Sequence, residues 1–228
     1  MSEWIKLSAT AMVAAAATTL YFVKKDQMKS GLDSSTPLVI SLPDWLIAYE
    51  KTLKETIYRT NEEMMAVAVE ISRLNVEHKS GGPFGCAIFE RDLSTNTCRI
   101  FSVGANRVMP LHNSSLHGEM TALQFAERKL QHFSLKTEKD SPKEYVMCTS
   151  CEPCAQCLGG TLWAGPAEMI CGASKDDAEA IGFNEGPVFP ESYVSLEENG
   201  IKVTKGVLQK EAAAILNQYA ETGTIYNS

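Results

Sequence analysis

Apolar residues recur at helical spacing through residues 43–78. Met64, Val67, Ala68, Ile71 and Leu74 stand at i, i+3, i+4, i+7 and i+10 and trace one face of a helix. The run "SGGPFG" at 80–85 breaks that pattern, because glycine and proline punctuate regular structure. "CAIFE" then predicts a strand, and "RIFSVGANR" its hairpin partner after the polar turn "DLSTNT". A second amphipathic helix is expected from His117 to about Gln131, followed by the polar loop "LKTEKDSPKE". Beyond it, "EYVMCTS" predicts a strand, "PCAQCLGGTLWAG" a helix, "EMICGAS" a strand and "DDAEAIG" a short helix. "IKVTKGV" and "KEAAAILNQYAE" close the series as a strand and a helix. Helices alternating with strands imply an α/β layered sandwich, and no internal repeat is visible.

Composition adjusts this picture in three places. At 228 residues the chain is long enough for one domain with a sizeable core and too short to require two. Its formal net charge is −7 and no Lys/Arg-rich run occurs, which argues against a nucleic-acid backbone as the main partner; a small base or nucleoside needs a pocket rather than a positive field. The seven cysteines are odd in number, and four fall between positions 148 and 157, a pattern suited to a metal in a reducing compartment rather than a disulfide framework. Residues 7–23 are uncharged but Ala/Thr-rich, at the short limit of a membrane span. They fit a signal anchor, a cleaved signal peptide, an organelle-targeting segment or a helix packed on the domain. Residues 1–29 are therefore set aside as a targeting or anchor segment, 30–43 as a linker rich in Ser, Pro and Gly, and 44–228 as the functional domain. Localisation follows neither signal alone: spare thiols suggest reducing surroundings, cytoplasmic or organellar, and the apolar start a membrane or export route.

The chemistry concentrates in two short motifs. In "HGEM", His117 and Glu119 stand at the mouth of a helix. In "PCAQC", Pro153 precedes Cys154 and Cys157, which are i and i+3 on one helical face. Unpaired N–H groups and the positive end of the helix dipole favour thiolate there, so the two sulfurs form a clamp for zinc. His117 supplies a third ligand. Three protein ligands leave one position open for water, as in catalytic rather than closed structural sites. Cys151 as a fourth ligand would close the site, but it precedes the proline and lies off the helical face. Cys86, Cys98, Cys148 and Cys171 read as core. Glu119, beside the metal and not spent on it, is the expected proton carrier.

These residues, H-G-E at 117–119 with P-C-A-Q-C at 153–157, resemble the zinc-dependent cytidine/purine deaminase superfamily, whose signature is H-x-E…P-C-x-x-C. Gly118 stands where alanine is usual, and the 37-residue spacing from His117 to Cys154 reads as an insertion in the loop at 135–144. "GGPFG", "GAN", "TSCEPC", "LGGTLWAG" and "DDAEAIGFNEG" extend the resemblance to the branch of guanine and guanosine deaminases, across about residues 62–201. It implies a three-layer α/β/α sandwich on a five-stranded mixed sheet, one zinc per subunit, and a homodimer whose C-terminal segments can cross between sites. Carried onto this chain, it implies that Asn106 hydrogen-bonds the base, that Phe84 and Trp163 form pocket walls, and that Gly118 lies against the substrate. Glu185 takes the place of an acidic residue expected to contact purine N–H groups, and Tyr226 could reach a partner's pocket.

The expected reaction is hydrolytic deamination of a nucleobase or nucleoside, with guanine to xanthine and ammonia as first choice and Glu119 moving the protons. A tRNA adenosine or cytosine/cytidine deaminase is the alternative within the superfamily, disfavoured because the segment after Val207 holds one lysine, Lys210, and two glutamates. A zinc-stabilised scaffold without activity is the alternative of another class, and an intact Glu119 argues against it.

Overall fold

The computed structural model describes residues 37–227. Residues 1–29 and the first half of the expected linker, 30–36, lie outside them. Helix α1 (Asp44–Leu53) and helix α2 (Asn61–Glu77) replace the single helical pattern expected over 43–78. The break has two causes. Thr60 is an extended N-cap whose side chain accepts from the Glu63 N–H while the Glu63 carboxylate returns to the Thr60 N–H, a reciprocal box that starts a new helix. Just before it, Tyr58 exchanges both backbone hydrogen bonds with Cys98, at 2.9 and 2.8 Å, which holds that stretch extended.

Strands β1 (Gly85–Asp92), β2 (Thr97–Ala105), β3 (Lys143–Cys151), β4 (Glu168–Ala173) and β5 (Lys202–Thr204) form one sheet in the order β2-β1-β3-β4-β5. β1 pairs antiparallel with β2 and β3, while β3–β4 and β4–β5 are parallel, so the sheet is mixed. The remaining helices are α3 (Val108–Leu111), α4 (Gly118–Leu130), α5 (Ala155–Ala164), α6 (Lys175–Ala180), α7 (Pro190–Glu198) and α8 (Gln209–Thr222). The short α3 and α7 have no counterpart in the sequence reading, although Pro190 opening α7 and Gly200 beyond its end are the usual start and stop residues.

Alternation along the strands divides the core into two layers. Ala87, Phe89, Val103, Val146, Cys148 and Ile170 point to one face, where α1 and α2 pack through Leu46, Met65, Ala68 and Ile71. Cys86, Ile88, Met147, Met169 and Cys171 point to the other, against α4, α5 and α7 through Leu123, Ala126, Ala164 and Leu196. Phe89, Ile71, Met65, Ile88 and Met147 are among the fully buried side chains, each worth about 1.5–3 kcal/mol by burial. This is the expected sandwich with helices on both faces. Because β1 opposes both β2 and β3, the carboxyl ends of β2, β3 and β4 share one edge. Ligands of open α/β sheets sit at such an edge.

Candidate active site

Two chain turns meet at that edge. β3 ends at Cys151, Pro153 follows, and α5 begins at Ala155 with Cys154 as its extended N-cap. Pro153 thus lies just outside the helix rather than in its first turn. His117 is the extended N-cap of α4. Neither N-cap side chain bonds its own helix; each is turned toward the other, and His117 Nδ1 stands 3.4 Å from Cys154 Sγ. With Cys157 one turn into α5, the three potential ligand atoms all lie within 4.8 Å of one another. A tetrahedral zinc with bonds of about 2.0–2.3 Å puts its ligand atoms roughly 3.5–4 Å apart, so this donor set fits one zinc ion. Cys151 is not part of the cluster, and its thiol points to the Ser174 carbonyl at 3.5 Å.

The start of α4 is pressed onto β2 by a glycine. A Cβ on Gly104 would fall 2.2 Å from the Gly118 carbonyl oxygen and 2.3 Å from the Ala122 nitrogen. Thr121 Oγ1 donates to the Ala105 carbonyl at 3.0 Å and Ser102 Oγ to the Ala122 carbonyl at 2.9 Å, fixing the helix in that approach. Glu119, one residue into α4, is carried into the interior and is only 6% exposed. Thr149 Oγ1, from the middle strand β3, donates to Glu119 Oε1 at 3.1 Å.

The local electrostatics favour a cation. A hydrogen bond from Cys157 holds the Cys154 thiol down at about 4 against the opposing effect of burial, with His117 helping. The Cys157 thiol is pushed well above its ordinary value by that same neighbour and by burial: two sulfurs this close cannot both ionise alone. Burial favours neutral His117, but the Cys154 sulfur outweighs it and raises the imidazole pKa. Burial, then the Cys154 charge, raise Glu119 above the usual carboxylate range. Burial followed by the same charge and that of Glu119 lifts Glu185 to about 8. A divalent ion would relieve each of these repulsions.

The cavity beside the cluster is lined by Phe84, Glu119, Glu152, Glu185, Tyr226 and Asn227 together with His117 and Cys154. Its free volume is only about 10 Å³, room for about one water, because the C-terminal segment fills it. Tyr226 Oη accepts from Asn106 Nδ2 at 2.6 Å, and its ring packs edge-on to Phe183 at 5.3 Å. Asn227 donates to the Asn184 carbonyl at 3.1 Å, and the Asn184 N–H returns to the Asn227 carbonyl at 3.2 Å. Tyr226 thus lies in the cavity of its own chain. Phe84 walls the cavity and meets Phe183 edge-on at 4.9 Å. Asn106 is fully buried behind Tyr226. Gly118 packs on the Phe84 backbone, where a Cβ would come within 3.1 Å of the carbonyl oxygen.

Trp163 corrects the sequence reading. It is 80% exposed, on the outer side of α5 facing Lys136 and Pro166, and does not line this cavity. α5 turns Cys157, Thr161 and Ala164 inward, and Trp163, two positions after Thr161, falls on the solvent side. Thr149 and Glu152 were not singled out from sequence. Nothing local marks Thr149, whereas Glu152 lies inside the "SCEPC" motif and could have been considered.

A model of the family described as the cytidine and deoxycytidylate deaminase zinc-binding region matches residues 58–173. The guanine deaminase of Bacillus subtilis strain 168 is 30% identical over 141 residues, 62% of this chain and 82% of that one. A solved guanine deaminase from Nitrosomonas europaea superposes with a TM-score of 0.71 at 32% identity, covering 84% of this chain and 99% of that one. A protein solved in complex with 2,6-diaminopurine superposes with a TM-score of 0.72 at 35% identity, covering 84% and 97%.

Proposed function

The chain belongs to the cytidine and deoxycytidylate deaminase family and is a hydrolytic deaminase, and from that premise we propose that it converts guanine to xanthine and ammonia at a zinc held by His117, Cys154 and Cys157. One observation carries the choice of base. A buried carboxyl group, Glu185, lines the cavity at the cluster, and an amide donor, Asn106 Nδ2, stands behind Tyr226. Guanine offers acceptors at O6 and N7 and donors at N1–H and the 2-amino group, so one flat ring satisfies both. The relatives named guanine deaminase and the 2,6-diaminopurine complex support a purine in the equivalent place.

Zinc, when bound, supplies the Lewis acidity that makes water nucleophilic at neutral pH. Glu119 accepts the proton of the attacking water and delivers it to the ring nitrogen beside the amine-bearing carbon; it then takes the proton of the newly added hydroxyl and passes it to the amine, so that the C–N bond breaks, the carbonyl forms and ammonia leaves. Thr149 holds the carboxylate through its 3.1 Å hydrogen bond. Phe84 packs on the base and Glu185 accepts its N–H groups. Tyr226 must leave Asn106 for a base to enter, and its return over the bound base would exclude water.

We also propose a homodimer and a membrane association through residues 7–23. The exposed Trp163 and Phe133, 80% and 78% accessible, support a contact surface for a second copy. Among the described residues no helix is long and apolar enough to cross a membrane, and residues 7–23 lie outside them. Sedimentation of the purified chain and membrane fractionation with and without residues 1–29 test these two points.

The reaction is tested by ammonia release from guanine, adenine, cytosine, their nucleosides and a tRNA, with zinc counted on the same sample. Guanine turnover with about one zinc per subunit supports the proposal. Turnover of tRNA adenosine alone, or no ammonia from any of them, overturns it.

A further inference from the structure

Asn75, on the last turn of α2, touches neither the metal cluster nor the cavity, and the mechanism above does not use it. It is nevertheless fully buried and all of its amide is employed. Nδ2 donates to the Gly82 carbonyl at 2.8 Å and to the Asn106 carbonyl at 3.0 Å, while Oδ1 accepts from Ser80 Oγ at 2.7 Å. Ser80 Oγ in turn accepts from Trp45 Nε1 of α1 at 2.9 Å. One side chain therefore ties the 80–82 turn to Asn106, the residue just after β2.

That tie decides which way the Asn106 amide faces. Asn106 Oδ1 accepts from the Gly82 N–H and the Val108 N–H, both at 3.3 Å, so its oxygen is committed to backbone and its NH₂ is left for the cavity. The turn is packed without slack: a Cβ on Gly81 would fall 1.8 Å from the Asn106 carbonyl oxygen and 2.8 Å from Asn75 Nδ2. Without the Asn75 donors, the buried Asn106 carbonyl loses a partner, the Gly82 carbonyl keeps only the Phe84 N–H, and the Gly82 N–H is no longer held against Asn106 Oδ1. The amide could then turn its oxygen toward a base atom that is itself an acceptor.

We infer that Asn75 is a positioning residue that sets the donor face of Asn106 toward the substrate. The inference rests on the reading of Asn106 as a base contact. It acts on binding of the ring and not on proton transfer, so its signature is a split between KM and kcat.

The experiment uses the zinc-loaded full chain and guanine, with wild type, Asn75→Ala, Ser80→Ala, Ser72→Ala and Asn106→Ala measured for KM, kcat, zinc content and Tm. Ser72→Ala is the control on the same helix: Ser72 Oγ donates to the Pro83 carbonyl at 2.6 Å in the same loop but touches neither Gly82 nor Asn106. Asn75→Ala should raise KM about 10- to 100-fold, with kcat within about threefold and zinc retained. Ser72→Ala should lower Tm yet leave KM within about twofold. Ser80→Ala removes the restraint on Asn75 Oδ1 while keeping both of its donors, and should raise KM about two- to fivefold, so the inference stands or falls on this variant should Asn75→Ala fail to fold. A KM equal to wild type in a folded Asn75→Ala, or an equal KM rise in Ser72→Ala, overturns the inference. If Asn106→Ala raises KM while the Asn75 and Ser80 variants do not, only this inference fails. An unchanged KM in Asn106→Ala removes the base contact on which it rests.

Discussion

Gly104→Ala probes the packing that brings His117 and Glu119 to the metal cluster. The added methyl meets backbone rather than a movable side chain, at 2.2 Å from the Gly118 carbonyl oxygen and 2.3 Å from the Ala122 nitrogen. Overpacking in a core costs about 1–3 kcal/mol, and obstruction by backbone puts this case near the top, at about 3 kcal/mol. A domain of this size loses roughly 2–4 °C of Tm per kcal/mol, so a fall of about 6–12 °C is expected. α4 must also shift away from β2 and carry its N-cap imidazole with it. Displacing the supports of a ligand typically weakens metal binding about 10- to 100-fold. The assay is thermal unfolding beside zinc per subunit after dialysis against graded chelator. Gly159→Ala is the counter-experiment: its Cβ meets nothing within 4 Å on α5, and replacing a helical glycine should stabilise by up to about 1 kcal/mol. A Gly104→Ala protein with the wild-type Tm and zinc affinity would refute the argument that this close approach sets the site.

Four further outcomes follow from the same geometry. Glu119→Gln should keep its zinc and lose turnover by about 10²- to 10⁴-fold or more; an active variant ends the assignment of the proton carrier. Cys157→Ala should purify with little zinc and release no ammonia from guanine, and full metal occupancy in that variant would show that other residues hold the ion. Tyr226→Phe deletes the hydroxyl that occupies Asn106 Nδ2, so KM for guanine should fall about two- to tenfold, whereas a rise would mean that the hydroxyl contacts the base. Burial raises the pKa of Glu168, but hydrogen bonds from Lys202 and Arg91 outweigh it and the net shift is downward. A depressed folded pKa contributes stability above the unfolded value of about 4.3, lost as pH falls through the lower folded one. Acid unfolding of Glu168→Gln should therefore be less steep below about pH 4.3 than that of wild type, and an unchanged acid limb would dismiss this contribution.

Local spacing and residue type together pointed to the chemistry of this chain. A histidine opening one amphipathic run and a cysteine pair behind a proline opening another read as helix N-termini, and positions i and i+3 share a helical face, so the three residues whose ligand atoms cluster could be picked out from local spacing. The period of the apolar residues likewise announced five strands and most of the helices. Tertiary structure decided what depends on partners distant in the chain. The helix expected over 43–78 breaks because Tyr58 finds Cys98 across 40 positions, a pairing no local window contains. Trp163, grouped with the pocket by its motif, points to solvent because the inward face of α5 is already taken by Cys157 and Thr161. Asn106 meets Tyr226 120 residues away, and Thr149 meets Glu119 from another strand. Residue type and short spacing dictate what a group can bind, whereas its facing and its neighbours follow from how the helices close over the sheet, a many-body packing outcome that no short stretch of the chain encodes.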